Sequence, residues 1–425
     1  MKAKAVYLRR LLWVVLFAVV AFVPAFPDPP LHSGAFVQHV RPDSAIVARI
    51  EPVDRELSVR WSDGGAVGEL ASNGARRRHA FEIEGLRPGT EYDYEVLDAS
   101  GSVIDAGGFV TPPPAGQDGD EVTFAIVGDS GKTPWWVQVH NSPLFYMVGR
   151  YDLLPAHGRP TALGDVMAEE SPDFWLHVGD VVYPWGKSEH WTTGFFRPFA
   201  DLLRRSPCYA VLGNHDLMDD DGRQLMANLY LPENRATGDE RHFSFAWGSV
   251  RVIGLDLMEH LTKGSPVLDY LDAELAASTE PWRIVMSHFP IHSCSRQGDR
   301  TDLIEHLVPL LERHEVDMVL AGHDHNYQRF GDGEAEGPLF VVTGAGGKSL
   351  YDLKPHPLLT KAHKAYHFCF VTVEGRRLVF RAIDVDGELI DRFELDLATS
   401  TPSRRGLDPS RPRDRRIQDV LDRFP

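Results

Sequence analysis

Six short apolar runs, at 122–127, 174–178, 209–212, 284–286, 318–321 and 339–342, look like strands buried on both faces. Such strands need cover on each side, which calls for helices and an α/β architecture. Two intervening stretches read as helices. Ser265-Pro266 offers an N-cap and a first-turn proline before Leu268, Leu271 and Leu275. Thr301 opens Leu303, Ile304, Leu307, Leu310 and Leu311 at three-and-four spacing. His242–Phe245 with Val250–Leu255 suggests an added hairpin. The runs 368–373, 378–383 and 389–395 suggest a further antiparallel set.

Ahead of this lies a different pattern. Between residues 34 and 111 short period-two runs such as Leu57-Ser58-Val59-Arg60-Trp61 and Tyr92-Asp93-Tyr94-Glu95-Val96 alternate with turn residues. A small β-sandwich is expected over 30–113, read as a packing or spacer module, and Pro112-Pro113-Pro114 leads out of it. The second domain is then 120–397, and an Arg-, Pro- and Ser-rich tail over 398–425 has little to bury and reads as disordered.

At the front, Lys2, Lys4, Arg9 and Arg10 precede an apolar run from Leu11 to Val23 and then Val23-Pro24-Ala25. Residues 1–25 read as an export signal, with an uncleaved membrane anchor as the alternative. The protein is expected outside the cytosol: secreted, periplasmic or at the cell surface. The formal charge is −17, and without the basic ends residues 26–399 carry −24. So acidic a body repels a phosphate backbone, and a nucleic-acid partner is not expected. Three cysteines, none in a CxxC, indicate neither a disulfide framework nor a zinc–thiolate site.

The chemistry sits just after the buried runs, where open α/β sheets place their sites. Gly128-Asp129-Ser130-Gly131 follows the first run and Gly179-Asp180-Val181-Val182-Tyr183 the second. Gly213-Asn214-His215-Asp216 follows the third, Ser287-His288-Phe289-Pro290 the fourth, and Gly322-His323-Asp324-His325 the fifth. A glycine ahead of the ligand lets the chain turn sharply off the strand. Singly, each motif reads as a turn with local side-chain bonding; five in order at strand ends do not read as coincidence. Carboxylate, imidazole, amide and phenol together suit iron, zinc or manganese. His323 and His325 point apart in extended chain, so they suit two metals, one each. Such a pair activates water and clamps a phosphoryl oxygen for in-line displacement at phosphorus.

These motifs resemble the calcineurin-like metallophosphoesterases, and Tyr183 with Gly131 resembles the purple acid phosphatases among them. The resemblance runs from Glu121 to about Leu395. It implies a four-layer αββα sandwich, preceded here by a domain similar to fibronectin type III, whose tyrosine corner Leu86–Tyr94 resembles. It further implies a dinuclear centre of Fe(III) and a divalent Zn, Fe or Mn. Asp129, Asp180, Tyr183 and His325 would hold the first metal, and Asp180, Asn214, His288 and His323 the second. Hydrolysis of a phosphorylated small molecule, a phosphate monoester, by hydroxide on the metal pair is the implied activity. The alternatives are a phosphodiesterase or nucleotide pyrophosphatase, and a non-catalytic exported binding protein. His215 matches the phosphate-contacting histidine, and Asp216 is a candidate to orient it. Where the family supplies a second active-site histidine, Gln297 and Gly298 stand here, with Arg296 beside them; His292 is the substitute candidate. Asp180 follows Asp129 by 51 positions, and the stretch between them, with Trp135, Trp136 and His140, reads as a structural insertion that could also shape the pocket.

Overall fold

The computed structural model describes residues 30–116, 121–131, 159–331 and 337–397. The expected signal, the Trp135–His140 stretch and the tail from 398 lie outside the described residues.

The front domain is all β. Strands β1 (Phe36–Arg41), β2 (Ser44–Arg55) and β5 (Arg76–Glu84) form a three-stranded antiparallel sheet. Strands β3 (Leu57–Ser62), β4 (Val67–Ala71), β6 (Glu91–Asp98) and β7 (Val103–Val110) form a four-stranded sheet ordered β4-β3-β6-β7. The period-two pattern does what alternation dictates: on β6, Tyr92, Tyr94 and Val96 face inward while Glu91 and Asp93 stay exposed. The hydroxyl of Tyr92 accepts from the backbone amide of Arg87 at 2.9 Å, which ties the corner to its strand. Tyr94 reaches further and donates to the carbonyl of Arg204 in the second domain at 3.1 Å. Phe36 packs on Phe196 with ring centres 5.3 Å apart. One continuous core therefore spans both domains.

The second domain stacks two mixed sheets. The first is ordered β10-β9-β8-β18-β19-β20, from β8 (Glu121–Val127), β9 (Phe174–His177), β10 (Cys208–Ala210), β18 (His367–Glu374), β19 (Arg377–Asp384) and β20 (Leu389–Asp396). The second contains β11 (Phe243–Trp247), β12 (Val250–Leu255), β13 (Trp282–Ser287), β14 (Met318–Ala321), β15 (Tyr327–Phe330), β16 (Leu339–Thr343) and β17 (Leu359–His363). Its order is β11-β12-β13-β14-β16-β15-β17. Aromatic rings fill the space between the sheets: Phe174 stacks on Phe124 at 5.0 Å and meets Phe245 edge-on at 5.3 Å. Leu271 and Leu275 of helix Pro266–Ala277, with Leu303 and Leu311, cover the outer face of the second sheet. Leu163 and Met167 of helix Arg159–Glu169 belong to the core on the first. Helices outside two stacked sheets make the four-layer arrangement.

Strands β8, β9 and β10 run parallel, as do β12, β13, β14 and β16. Their carboxyl ends deliver the ligand motifs to one edge of the sandwich.

Three local expectations differ from the structure. The helix expected from Thr301 through Leu311 is two pieces, Thr301–His306 and Val308–Arg313. Pro309 breaks it, because it has no amide hydrogen and its ring crowds the preceding turn. Ser265 occupies the N-cap position, but its hydroxyl accepts from the amide of Thr262 (2.9 Å) rather than from the helix. Strands β15 and β17 were not anticipated: β15 is wholly buried yet reads Tyr-Gln-Arg-Phe, and its polar members are satisfied by other side chains.

Candidate metal centre

Glycine turns the chain as the sequence suggested at one strand end, Gly179 with φ 89°, and has another role at the rest. The left-handed backbone falls on the ligands themselves, with φ of 53° at Asp129, 55° at Asp180 and 66° at His323. Gly128, Gly213 and Gly322, which are not left-handed, are needed for space. A Cβ on Gly128 would lie 2.4 Å from Val178 Cγ2, and one on Gly213 2.1 Å from the Asp180 nitrogen. Loops from separate strands thus pack backbone to backbone, and strain of this kind persists only where packing over-determines it.

Seven side chains converge in two sets. In the first, the Tyr183 hydroxyl lies 3.1 Å from Asp129 Oδ1, 2.7 Å from Asp180 Oδ2 and 3.4 Å from His325 Nε2. His325 Nε2 is in turn 3.2 Å from Asp129 Oδ1. In the second, Asn214 Oδ1 is met by His288 Nε2 at 3.1 Å and His323 Nδ1 at 3.0 Å. Asp180 touches both sets, since its Oδ1 lies 3.5 Å from His288 Nε2.

The ring orientations are fixed from behind. His288 Nδ1 donates to the Val178 carbonyl (2.9 Å) and His325 Nδ1 to that of Ser349 (2.7 Å). Each therefore turns an Nε2 lone pair inward, the arrangement that metal-bound histidines use. Burial pulls His323 down to about 3 and His325 to about 4, so both rings are neutral near pH 7.

These residues fit a cation. Asp129 and Asp180 are buried together. Burial, and beyond it the charge of Asp180, pushes the Asp129 carboxyl well above its usual range. Two such carboxylates repel unless positive charge sits between them. His288 Nε2 and His323 Nδ1 both approach Asn214 Oδ1, which brings three atoms of metal-ligating type together. Donor atoms of Asp129, Asp180 and His288 all lie within 4.8 Å of one another, close enough to share an ion.

Comparison with known proteins agrees. The calcineurin-like phosphoesterase family profile matches residues 122–327. This stretch is a calcineurin-like phosphoesterase domain. Among curated proteins, the chain is 27% identical over 313 residues to purple acid phosphatase 17 of Arabidopsis thaliana, covering 66% of this chain and 86% of that one. It is 26% identical over 249 residues to tartrate-resistant acid phosphatase type 5 of Sus scrofa, covering 52% and 69%. The structure of a purple acid phosphatase from yellow lupin seeds superposes with a TM-score of 0.70 at 19% identity, over 89% of this chain and 78% of that one. The phosphoesterase domain and these relatives support a metal-dependent phosphoesterase. Another Arabidopsis relative, 25% identical over 63% of this chain and 46% of its own length, bears the name "Probable inactive purple acid phosphatase 9". Kinship therefore leaves the completeness of the donor set to carry the argument for activity.

The remaining candidates of the phosphoesterase domain fall differently. His215 lies against the cluster: its ring centre is 4.5 Å from that of Tyr183, and Nδ1 donates to the Pro184 carbonyl at 2.6 Å. Burial lowers its pKa, opposed by Asp180. Asp216 does not orient that ring. Its buried carboxylate accepts instead from the amides of Val181 (3.0 Å) and Gly213 (2.9 Å), stapling the Asp180 and Asn214 loops together. His292 joins another group, with Nδ1 3.4 Å from Asp299 Oδ2, while His356 Nε2 lies 3.2 Å from the same oxygen. The Leu358 amide donates to His356 Nδ1 (3.2 Å), which leaves Nε2 protonated and directed at Asp299. This trio is a hydrogen-bonded clamp between two loops, because a metal would need that Nε2 lone pair. Gln297 is exposed.

Lys348 was missed, although it follows the glycine loop 344–347 directly. Its ammonium lies 4.6 Å from the centre of the Tyr183 ring. Burial brings its pKa down to about 8, against the pull of Asp180, so it is mostly charged at pH 7 and below.

Proposed function

We propose that the chain is an exported phosphomonoesterase whose dinuclear centre is held by Asp129, Asp180, Tyr183 and His325 on one side and by Asp180, Asn214, His288 and His323 on the other. The observation that carries this reading is the division of seven donors into two sets that share Asp180. Phenol and carboxylates in the first set suit Fe(III), and amide and imidazoles in the second suit a divalent Zn, Fe or Mn. When bound, such a pair supplies activated water and neutralises charge developing at phosphorus.

The chain's own residues do the rest. Asp180 draws the two sets together. His215, with Nδ1 given to Pro184, has Nε2 left, which once protonated can donate to a phosphoryl or leaving-group oxygen. Asp216 keeps the loops that carry Asp180 and His215 in register. The substrate class is a small phosphorylated molecule; the preference for monoesters over diesters belongs to the proposal. Export rests on the 1–25 pattern. Among the described residues no helix is long and apolar enough to cross a membrane.

Elemental analysis and an absorption spectrum of protein purified without chelator test the centre. About two metals per chain, at least one of them iron, are expected. Tyr183→Phe should remove visible colour while keeping most of the metal. An active protein with one metal or none would overturn the reading. Turnover of an aryl diester but not an aryl monoester would replace monoesterase by diesterase, and two metals without turnover would favour a binding protein. Amino-terminal sequencing of exported protein should find a start near Phe26; an intact Met1 in a membrane fraction would indicate the anchor.

A further inference from the structure

We propose that Lys348 receives a phosphoryl oxygen of the substrate and sets the preference of the site for dianionic phosphate monoesters over monoanionic diesters. The inference rests on the dinuclear reading above and adds a specificity residue to it.

Position comes first. The loop that ends at Lys348 is tied to the strand bearing Asp129: the Gly346 amide donates to the Gly128 carbonyl at 2.8 Å and the Lys348 amide to the Asp129 carbonyl at 3.1 Å. A Cβ on Gly346 would meet that Gly128 oxygen at 2.6 Å, so the loop closes this tightly only with glycine there. Lys348 is therefore held one ligand away from the metal-binding edge by backbone bonds. Its four-carbon stem brings the ammonium over the ring of Tyr183, 4.6 Å from its centre. The ring of His215 approaches the same tyrosine, centre to centre at 4.5 Å. Lys348, a fixed donor, and His215, a donor at Nε2 only once its ring is protonated, thus lie against one ring whose hydroxyl sits between both carboxylates of the first set.

Chemistry then distinguishes esters. A phosphate monoester carries about −1.5 to −2 near neutral pH, whereas a diester carries a single negative charge. Lysine binds phosphate as a point charge, so its contribution scales with the charge it faces. The metal pair does not by itself choose between the two esters; an added fixed cation favours the more highly charged one. With Gln297 where a second histidine was sought, Lys348 is a cationic donor this chain places at the centre by another route.

The competing role is structural: Lys348 could only cover Tyr183 and offset the charge of Asp129 and Asp180. Metal-loaded full-length Lys348→Gln and Lys348→Arg separate the two. Affinity for inorganic phosphate is measured by calorimetry, kcat/KM for an aryl monoester and an aryl diester by steady-state kinetics, and metal content by elemental analysis. Lys348→Gln should keep its metals, lose about ten- to hundredfold in phosphate affinity and in monoester kcat/KM, and change by less than about threefold on the diester. Lys348→Arg should regain most of the phosphate affinity. Unchanged phosphate affinity and monoester-to-diester ratio in Lys348→Gln with two metals bound overturns this inference alone. Loss of metal in Lys348→Gln also overturns it, in favour of the structural role. Wild type that binds no metal pair overturns the dinuclear reading, and this inference with it.

Discussion

The backbone amide of His215 donates to Oδ1 of Asp180 at 2.8 Å, while the other oxygen of the same carboxylate accepts from Tyr183 at 2.7 Å. The group proposed to bridge two metals thus also holds the loop that presents His215, the proposed phosphate-facing histidine. Asp180→Asn separates these duties. An amide keeps an oxygen for the His215 nitrogen but is a poor bridge between cations. Metal content and activity should fall together. After chelation the order reverses: apo Asp180→Asn should melt higher than apo wild type, because the repulsion on Asp129 is relieved. Thermal melts with and without metal check both signs.

Asp216 separates a positioning role from a stapling role. Asp216→Ala leaves the amides of Val181 and Gly213 without their partner inside the protein. Stability should drop by about 2–4 kcal/mol, read from denaturant midpoints. Activity per folded, metal-loaded molecule should change much less. A variant of wild-type stability that has lost catalysis would restore the orienting role.

His215 can deliver a proton from Nε2 once its ring is protonated. An alkoxide leaving group needs a proton and a nitrophenolate hardly does. His215→Ala should therefore slow an alkyl phosphate by about 10²–10⁴ and an activated aryl phosphate far less. Comparing kcat/KM for the two esters decides it. Equal losses would make His215 a binding residue only.

His367 makes the fold acid-sensitive away from the centre. Its buried ring bonds to Thr343 Oγ1 (3.0 Å) and the Ala365 carbonyl (3.0 Å), and burial lowers its pKa to about 4. At pH 7 the ring is neutral folded and unfolded. As pH falls below about 6.5 the unfolded chain takes a proton that the folded one refuses, so stability declines toward pH 4. The slope from this residue is about 1.4 kcal/mol per pH unit. Denaturant titrations at pH 7 and pH 5 should show a shallower decline in His367→Gln than in wild type.

The seven converging side chains were readable because each follows a strand whose burial is written in consecutive apolar residues. Asp129 after 122–127 and His323 after 318–321 are of this kind. Four matters were not readable. The partner of Asp216 is backbone amide, and amides leave no mark in a sequence. His292 looked available because Asp299 and His356, which engage it, lie seven and 64 residues further on. Strand β15 hid because its Gln328 and Arg329 are buried polar groups, satisfied by Asp324 and Asp391 from other segments. Lys348 directly follows Gly344-Ala345-Gly346-Gly347 but carried no signal until the fold laid it over Tyr183.

The left-handed backbone at Asp129, Asp180 and His323 bears on any attempt to retarget the metal. A conventional swap chooses a new donor by softness and reach, such as cysteine for zinc or glutamate for a larger ion. Here a replacement must also tolerate positive φ, which asparagine, aspartate and histidine do several-fold more readily than other side chains. A softer or longer donor at these three positions would be penalised by the main chain before coordination begins. Asn214, His288 and His325 are not among the positive-φ residues, so selectivity should be engineered there.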